Sequence, residues 1–283
     1  MSLATLVLIW GTTWAAIRVG LQGIPPLTGV ALRFTIAGTV LLALSPVFGA
    51  RFGSSRRAWL VWSINAVFTF MVSYSILYWA EQWIPSGLAA VLFATFPLLV
   101  ALLAHFVLPG ERLTWRSGLG ILVGFAGVAV IFSQDFAKLL GPQVAFAAAV
   151  MLLCPVCSAI GSVAVKKWGS GIHPLSTAAV PMLLCGVILG PIAWFSEAGR
   201  SVTFNRPSIL ALFYLALVGS ALPFTLYFWL LKSLPATQVS LINYAVPVMA
   251  VIVGHFALGE PVTLRVLVGA VLVIAGTAVA VRK

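Results

Sequence analysis

The chain has 283 residues, of which 62% are hydrophobic and only 7% are charged, and its formal net charge is +11. A soluble domain carries charge on about a quarter of its residues, so this composition excludes a soluble globular protein and predicts an integral membrane protein. The excess of cations could also suggest a nucleic-acid-binding protein, but the cations lie between long apolar stretches, which favours a membrane topology.

Ten apolar stretches are long enough to cross a bilayer, which takes about 20 residues of α-helix. We expect the first one, which starts almost at Met1 without a basic leader, to be a retained helix. The short loops leave no room for a soluble catalytic or nucleotide-binding domain. In chain order the predicted spans are 2–22, 28–48, 59–80, 86–108, 117–133, 144–168, 175–197, 208–231, 236–258 and 264–281.

The second half of the sequence repeats the first at an offset of about 150 residues. The clearest matches are Trp79 with Trp229, Pro97 with Pro247, His105 with His255, and Glu111 with Glu260. Because each half holds five spans, an odd number, the second half enters the membrane from the opposite side. The sequence therefore predicts an all-α integral membrane fold with ten transmembrane helices, built as two inverted five-helix repeats, 1–140 and 141–283, around a central cavity. Secondary transporters often have inverted repeats, and their substrate site lies near the midplane.

The positions of the cations predict the orientation of the chain. If the N-terminus is cytoplasmic, ten Lys and Arg residues fall in inner segments and five in outer ones. The positive-inside rule therefore predicts that both termini are cytoplasmic. Arg33 is the remaining cation and lies roughly two turns inside the second span. We expect it to snorkel to the surface or to pair with Glu81, and contact with a substrate is the alternative.

Several prolines lie at the centres of predicted spans. A proline inside a helix frees the carbonyl group four residues earlier, so Pro223 is expected to free the carbonyl of Gly219. Pro97 and Pro247 occupy matched positions in the two repeats. We interpret this pair as hinges, with a packed kink as the alternative for each.

Polar and aromatic side chains near mid-membrane are the candidate substrate-binding residues. Asn65, Thr69 and Ser73 recur every four residues on the third span, and Asn243 shares one side of its helix with Pro247. A buried amide is costly unless it is satisfied, so Asn65 and Asn243 face either a cavity or a partner helix. The full set of candidates is Trp14, Asn65, Ser73, Tyr78, Phe93, Ser158, Phe224, Tyr227, Asn243 and Tyr244.

The five acidic residues all fall at span ends or in loops. Intramembrane carboxylates usually carry proton or sodium coupling, so their absence from the spans predicts a facilitator. The sequence contains no Walker-type nucleotide-binding motif and no metalloprotease motif. We therefore expect no ATP, no cofactor and no metal ion.

Several segments carry a resemblance to a known family. They are WGTTWAAIR over 10–18, PPL over 25–27, ALRF over 31–34, and the paired ends LPGE over 108–111 and LGE over 258–260. Together they resemble the EamA-type exporters of the drug/metabolite transporter superfamily, most closely the bacterial aromatic amino-acid exporters. The resemblance implies ten helices, a cavity built mainly from spans 1, 3, 4, 6, 8 and 9, and export of amino acids or related metabolites. The small multidrug relatives use an acidic residue in their first helix, which this chain lacks.

The resulting hypothesis is a non-enzymatic secondary transporter in the bacterial inner membrane. It would export aromatic and other small neutral amino acids and similar metabolites by alternating access. The expected partners are a small-molecule substrate and the lipid bilayer, with no nucleic acid, and the expected state is a monomer. The open alternatives are a proton-coupled multidrug exporter of aromatic cations, and a non-transporting membrane scaffold or intramembrane enzyme.

Overall fold

The computed structural model describes residues 2–53, 55–133, 141–249 and 263–281, and every regular element in these ranges is helical. The helices are α1 (Ser2–Gly20), α2 (Pro26–Leu44), α3 (Arg56–Ala80), α4 (Ser86–Phe93 and Phe96–Val107), α5 (Trp115–Ile131), α6 (Pro142–Trp168), α7 (Pro174–Ser196), α8 (Arg206–Ser233), α9 (Ala236–Ser240, continuing over 242–249) and α10 (Leu264–Val281). The prediction of an all-helical protein is confirmed.

The described helices have the length and composition of membrane spans. Eight of those in the described ranges are long and apolar enough to cross a bilayer, and α5 is an apolar helix of 17 residues. The predicted ninth span ends at 258, so its second half lies outside the described residues, as do His255 and Glu260. The first repeat was predicted to end at 140, which also lies outside them, and this boundary stays a prediction.

Equivalent helices of the two halves pack against each other. α2 lies along α7, and α5 lies along α10, which are the second and fifth helices of each half. Glycines allow the close approach, because a Cβ atom added at Gly120 would lie 2.6 Å from the carbonyl oxygen of Gly276. A Cβ atom at Gly38 would lie 2.7 Å from Cγ of Leu183. Pairing of equivalent helices is the arrangement that an approximate two-fold axis between two repeats produces.

The third helix of each half also packs against a helix of the other half. α3 packs against α6, and α8 packs against α1, so the third helix of one half contacts the first helix of the other. Both α3 and α8 contain a π-helical segment, Asn65–Val72 and Leu217–Ala221. These segments coincide at the 150-residue offset of the repeat. π-helical turns occur frequently at functional sites. Their matched positions therefore favour a functional site between the halves.

Charged side chains near the span ends satisfy the free backbone groups of several helices. The carboxylate of Glu197 accepts hydrogen bonds of 2.9 Å from the first two amides of α2. Glu111 accepts bonds of 3.0 and 3.3 Å from the first amides of α9. The ammonium group of Lys166 donates to the carbonyls of Leu231 and Leu234, both at 2.8 Å, at the end of α8. These charges complement the helix dipoles. Glu197 and Glu111 also hold a loop of one half on a helix of the other, whereas Lys166 joins α6 to α8 within the second half.

The contact between α5 and α10 can be tested with a pair of alanine substitutions on one helix. Gly120→Ala places a methyl group against the backbone of α10, which cannot yield locally, so we expect the melting temperature to fall. The free energy of unfolding should fall by about 1–3 kcal/mol, as for other overpacked sites.

Gly118→Ala is the matched control, because no atom lies within 4 Å of a Cβ added there. It should leave the melting temperature unchanged or raise it slightly, since alanine favours helix more than glycine does. Thermal unfolding of the purified protein in detergent compares the two variants. An equal fall in both would contradict backbone contact between α5 and α10.

Candidate functional site

A cavity lies between the two halves of the protein. It is lined from α1, α3, α4, α6, α8 and α9, which are the spans that the family resemblance implies, and from Arg33 on α2. The cavity measures about 80 Å³, whereas sites for drug-sized ligands start at roughly 300 Å³. The structure therefore shows a narrow conformation, and a ligand of that size would require the walls to separate.

Aromatic rings form a large part of the cavity wall. The indole ring of Trp14 meets Phe93 edge-on, with ring centroids 6.0 Å apart. The indole ring of Trp10 lies 5.6 Å from the rings of both Phe224 and Tyr227. Four of these five rings were candidate residues in the sequence, and Trp10 adds a further ring. Such a wall offers the faces and edges that bind an apolar or aromatic group.

A smaller set of polar groups completes the wall. Asn243 and Ser158, both predicted from the sequence, line the cavity together with Thr13, Thr69 and Ser162. The amide nitrogen of Asn243 donates to a carbonyl of its own helix at 3.1 Å, which leaves its side-chain oxygen and one N–H group for a ligand. Among the described residues that line the cavity, none is acidic.

The other four candidate residues lie behind the wall. Asn65 donates to carbonyls of α3 and α6 at 3.0 and 3.5 Å, and Ser73 donates to a carbonyl of α6 at 3.1 Å. Tyr244 donates to a carbonyl of α5 at 2.9 Å, and the Tyr78 hydroxyl accepts a bond from Arg33. These side chains join helices and support the wall. Their direct contact with a substrate stays a prediction.

Arg33 lies in a different place from the one expected of it. Its side chain is 1% exposed and lines the cavity, so the expectation that it snorkels to the surface is wrong. Its guanidinium group donates to the Ser220 hydroxyl at 2.7 Å, to the Tyr78 hydroxyl at 3.2 Å and to the Gly219 carbonyl at 3.2 Å. Neither carboxylate oxygen of Glu81 has a hydrogen-bond partner among the described residues, so the direct pairing expected between Arg33 and Glu81 is not formed.

The local sequence of α8 explains how Arg33 is held. Pro223 cannot donate to the carbonyl of Gly219, and this free carbonyl, anticipated from the sequence, accepts the bond from Arg33. Ser220 belongs to the π-helical segment and donates to the carbonyl of Leu215, five residues earlier, at 2.8 Å. In the sequence, the position of Arg33 inside a predicted span already indicated a functional role, because ionisable residues within spans usually serve a function.

Glu81 is a second buried ionisable residue. It directly follows α3 and is 2% exposed. Burial raises the pKa of this carboxyl group from its ordinary value of 4.5 to about 8, against the opposing effect of Arg18 and Arg33. At neutral pH the side chain is therefore largely protonated and neutral.

Fold and site together define a multi-span membrane protein with a ligand cavity between two related halves. The model of the EamA-like transporter family matches residues 1–133 and 145–282, one match in each half. The chain belongs to the EamA-like transporter family, and it is a membrane transporter. The two matches agree with the repeat that the sequence shows.

Similar proteins carry the same general description. An uncharacterized transporter of Archaeoglobus fulgidus is 28% identical, over 99% of this chain and 98% of that protein. The uncharacterized transporter YoaV of Bacillus subtilis is 25% identical over 98% and 94%. The uncharacterized inner membrane transporter YedA of Escherichia coli K12 is 29% identical over 92% and 82%. A protein of known crystal structure aligns with a TM-score of 0.82 at 23% identity, over 99% and 96% of the two chains, and shows the fold alone.

The buried carboxyl group of Glu81 predicts how stability depends on pH. Because its pKa is higher in the folded protein than in the unfolded chain, ionisation favours the unfolded state. Stability should therefore fall as pH rises from about 4.5 to about 8 and then level off. Glu81→Gln removes this ionisation, so the variant should lose less stability over the same range.

Melting temperatures of the purified protein at pH 5 and pH 9 measure the effect. Glu111→Gln is the control for a general effect of removing an acid, because Glu111 is a helix cap at the start of α9. Identical pH dependence in the wild type and the Glu81→Gln variant would contradict the raised pKa of Glu81.

Proposed function

We propose that the protein exports aromatic and other small neutral amino acids, and similar metabolites, across the bacterial inner membrane. The observation that carries this proposal is the aromatic cavity between the two halves. The rings of Trp14, Phe93 and Phe224 would hold the apolar part of the substrate. The side-chain oxygen of Asn243 would accept hydrogen bonds from its ammonium group. Membership in a transporter family supports transport rather than a scaffold or an enzymatic role.

Alternating access is the proposed mechanism, with the halves rocking about bends near Pro97 and Pro247. α4 is interrupted between Phe93 and Phe96, and Pro97 lies in the first turn of its second segment. Pro247 lines the cavity on the equivalent helix of the other half. A bend at this depth would change the distance between the aromatic walls, which the narrow cavity requires before a substrate can enter.

The proposed energy source is the gradient of the substrate itself. The acids Glu111 and Glu197 cap helices, and the described lining of the cavity contains no carboxylate that could exchange a proton with the substrate. A facilitator needs no such group. In this mechanism the halves reorient at similar rates with or without a pH gradient.

A multidrug exporter of flat cations is the second candidate. The aromatic wall favours it, because the faces of Trp, Tyr and Phe attract cations. Such an exporter would be coupled to protons, and its transport would then require a pH gradient. The two candidates therefore differ in both substrate and coupling.

Uptake into proteoliposomes separates these candidates. We expect labelled phenylalanine to enter protein-containing vesicles faster than empty ones, with the same rate in the presence and absence of an imposed pH gradient. A quaternary-ammonium dye should show no protein-dependent uptake. Dye uptake that requires the gradient, without phenylalanine uptake, would favour the multidrug exporter, and no uptake of either compound would contradict the proposal.

A pair of substitutions on α4 assigns the uptake to the cavity. Phe93→Ala removes a ring from the wall and should lower phenylalanine uptake at low concentration by about tenfold, the effect of losing roughly 1.4 kcal/mol of binding. Phe106→Ala removes a ring that is 76% exposed on the same helix and should leave uptake unchanged. Equal uptake in all three proteins would place the substrate elsewhere.

The hinge proposal predicts a kinetic effect at Pro97. Pro97→Ala restores a backbone donor at the bend, which should stiffen α4 and slow exchange of phenylalanine several-fold without reducing expression. Pro191→Ala is the control, because Pro191 is an exposed proline inside α7 with no equivalent in the other half. Exchange rates of both variants are measured in proteoliposomes, and an unchanged rate for Pro97→Ala would refute the hinge.

A further inference from the structure

Arg33 is the only charged side chain among the described residues that line the cavity. Its three hydrogen-bond partners are two hydroxyl groups and one carbonyl group. These bonds use three of the five N–H donors of a guanidinium group. The two remaining donors have no partner among the described residues.

Aromatic rings cover part of the guanidinium group without neutralising it. Its central carbon lies 4.9 Å from the centroid of the Tyr74 ring and 5.4 Å from that of Phe34. These contacts stabilise a cation and fix its orientation. None of the described residues gives Arg33 a carboxylate as a hydrogen-bond partner, and an unpaired buried charge is costly. In membrane proteins such residues usually mark a substrate or ion pathway.

Glu81 does not supply the missing negative charge at neutral pH. Burial raises the pKa of its carboxyl group to about 8, with Arg18 and Arg33 acting in the opposite direction. Neither of its oxygens accepts a hydrogen bond from a described residue. The positive charge of Arg33 therefore faces an aromatic cavity without a fixed anion.

Trp10 adds a second free donor to the same cavity. Its indole N–H group is buried and has no hydrogen-bond partner among the described residues. An indole N–H can only donate, so an acceptor on a ligand could satisfy it. Arg33 and Trp10 are thus both lining residues that carry N–H donors without a partner among the described residues, and an anionic oxygen is an acceptor suited to such donors.

We propose that Arg33 binds the carboxylate of the transported substrate, so that the site accepts aromatic carboxylates and zwitterionic amino acids. This inference rests on the proposed function and deepens it. Arginine is suited to the role because its planar guanidinium group matches the geometry of a carboxylate. The ring of such a ligand would lie against Trp14 and Phe93, and an ammonium group, where present, would reach Asn243.

The same charge rejects simple cations. A flat cation would gain contact with the aromatic rings but would meet the like charge of Arg33 in a cavity that offers no carboxylate. Like charges in contact inside a protein are strongly unfavourable at low dielectric. The site is therefore expected to rank an aromatic anion and a zwitterion above an aromatic amine of the same size.

The ranking is tested with three probes that share a phenyl ring. They are 3-phenylpropionate, which carries only the carboxylate, L-phenylalanine, which carries both groups, and phenethylamine, which carries only the ammonium. The concentration of each probe that half-maximally stabilises the purified protein against heating measures apparent affinity. We expect stabilisation of the wild type by the first two probes and none by phenethylamine.

Three variants test whether Arg33 causes the difference in affinity between the probes. Arg33→Met should weaken stabilisation by both carboxylates by about tenfold or more, the usual effect of losing a hydrogen bond to a charged group. Arg33→Lys keeps the charge and should retain part of the affinity. Arg18→Met removes an exposed cation from α1 that does not line the cavity, and it should keep the wild-type ranking.

Several outcomes would overturn the inference. Stabilisation of the wild type by phenethylamine as strong as by 3-phenylpropionate would do so without any variant, and so would stabilisation by none of the probes. An equal loss of stabilisation by both carboxylates in Arg33→Met and Arg18→Met would show that Arg33 has no specific role in binding them. If 3-phenylpropionate binds through Arg33 but vesicles take up no phenylalanine, the inference stands and the amino-acid substrate is wrong.

Discussion

Hydrocarbon provides no hydrogen bonds, so each polar group of a membrane-spanning helix must find its partner inside the protein. Most of the described structure follows from this requirement. Several hydroxyl groups donate to carbonyls of their own helices, and Asn65 joins α3 to α6. Glu111 and Glu197 accept hydrogen bonds from the free amides at the N-termini of α9 and α2. Among the described residues, the requirement is incompletely met at a few buried side chains, Trp10, Trp62, Ser75 and Glu81. Of these, Trp10 lines the cavity, where Arg33 has hydrogen bonds but no described carboxylate as a hydrogen-bond partner.

Much of the architecture could be predicted from the sequence, because composition and repetition are properties of whole segments. Apolar length identified the spans, and the matched residues of the two halves predicted the repeat. The packing of equivalent helices, α2 with α7 and α5 with α10, is a finding of the structure. The free carbonyl of Gly219 was also predictable, since it follows from the chemistry of Pro223 alone. Six of the ten candidate substrate residues line the cavity.

The remaining candidates and Arg33 required three-dimensional information. Helical periodicity places Asn65 and Ser73 on one face of α3, but it does not identify the neighbour of that face, which is α6. The π-helical segments shift the side chains that follow them relative to a regular helix, and periodicity does not register this shift. Arg33 resembled a snorkelling residue because its acceptors, Ser220 and Gly219, lie almost 190 positions away in the sequence.

The central claim is that a carboxylate ligand binds between the halves, with its charge on Arg33 and its ring against the aromatic wall. A structure of the protein with bound 3-phenylpropionate or L-phenylalanine tests this claim most directly. We expect ligand density beside Trp14 and Phe93, with the carboxylate within hydrogen-bond distance of the Arg33 guanidinium group. Density at another site, or a carboxylate pointing away from Arg33, would contradict it.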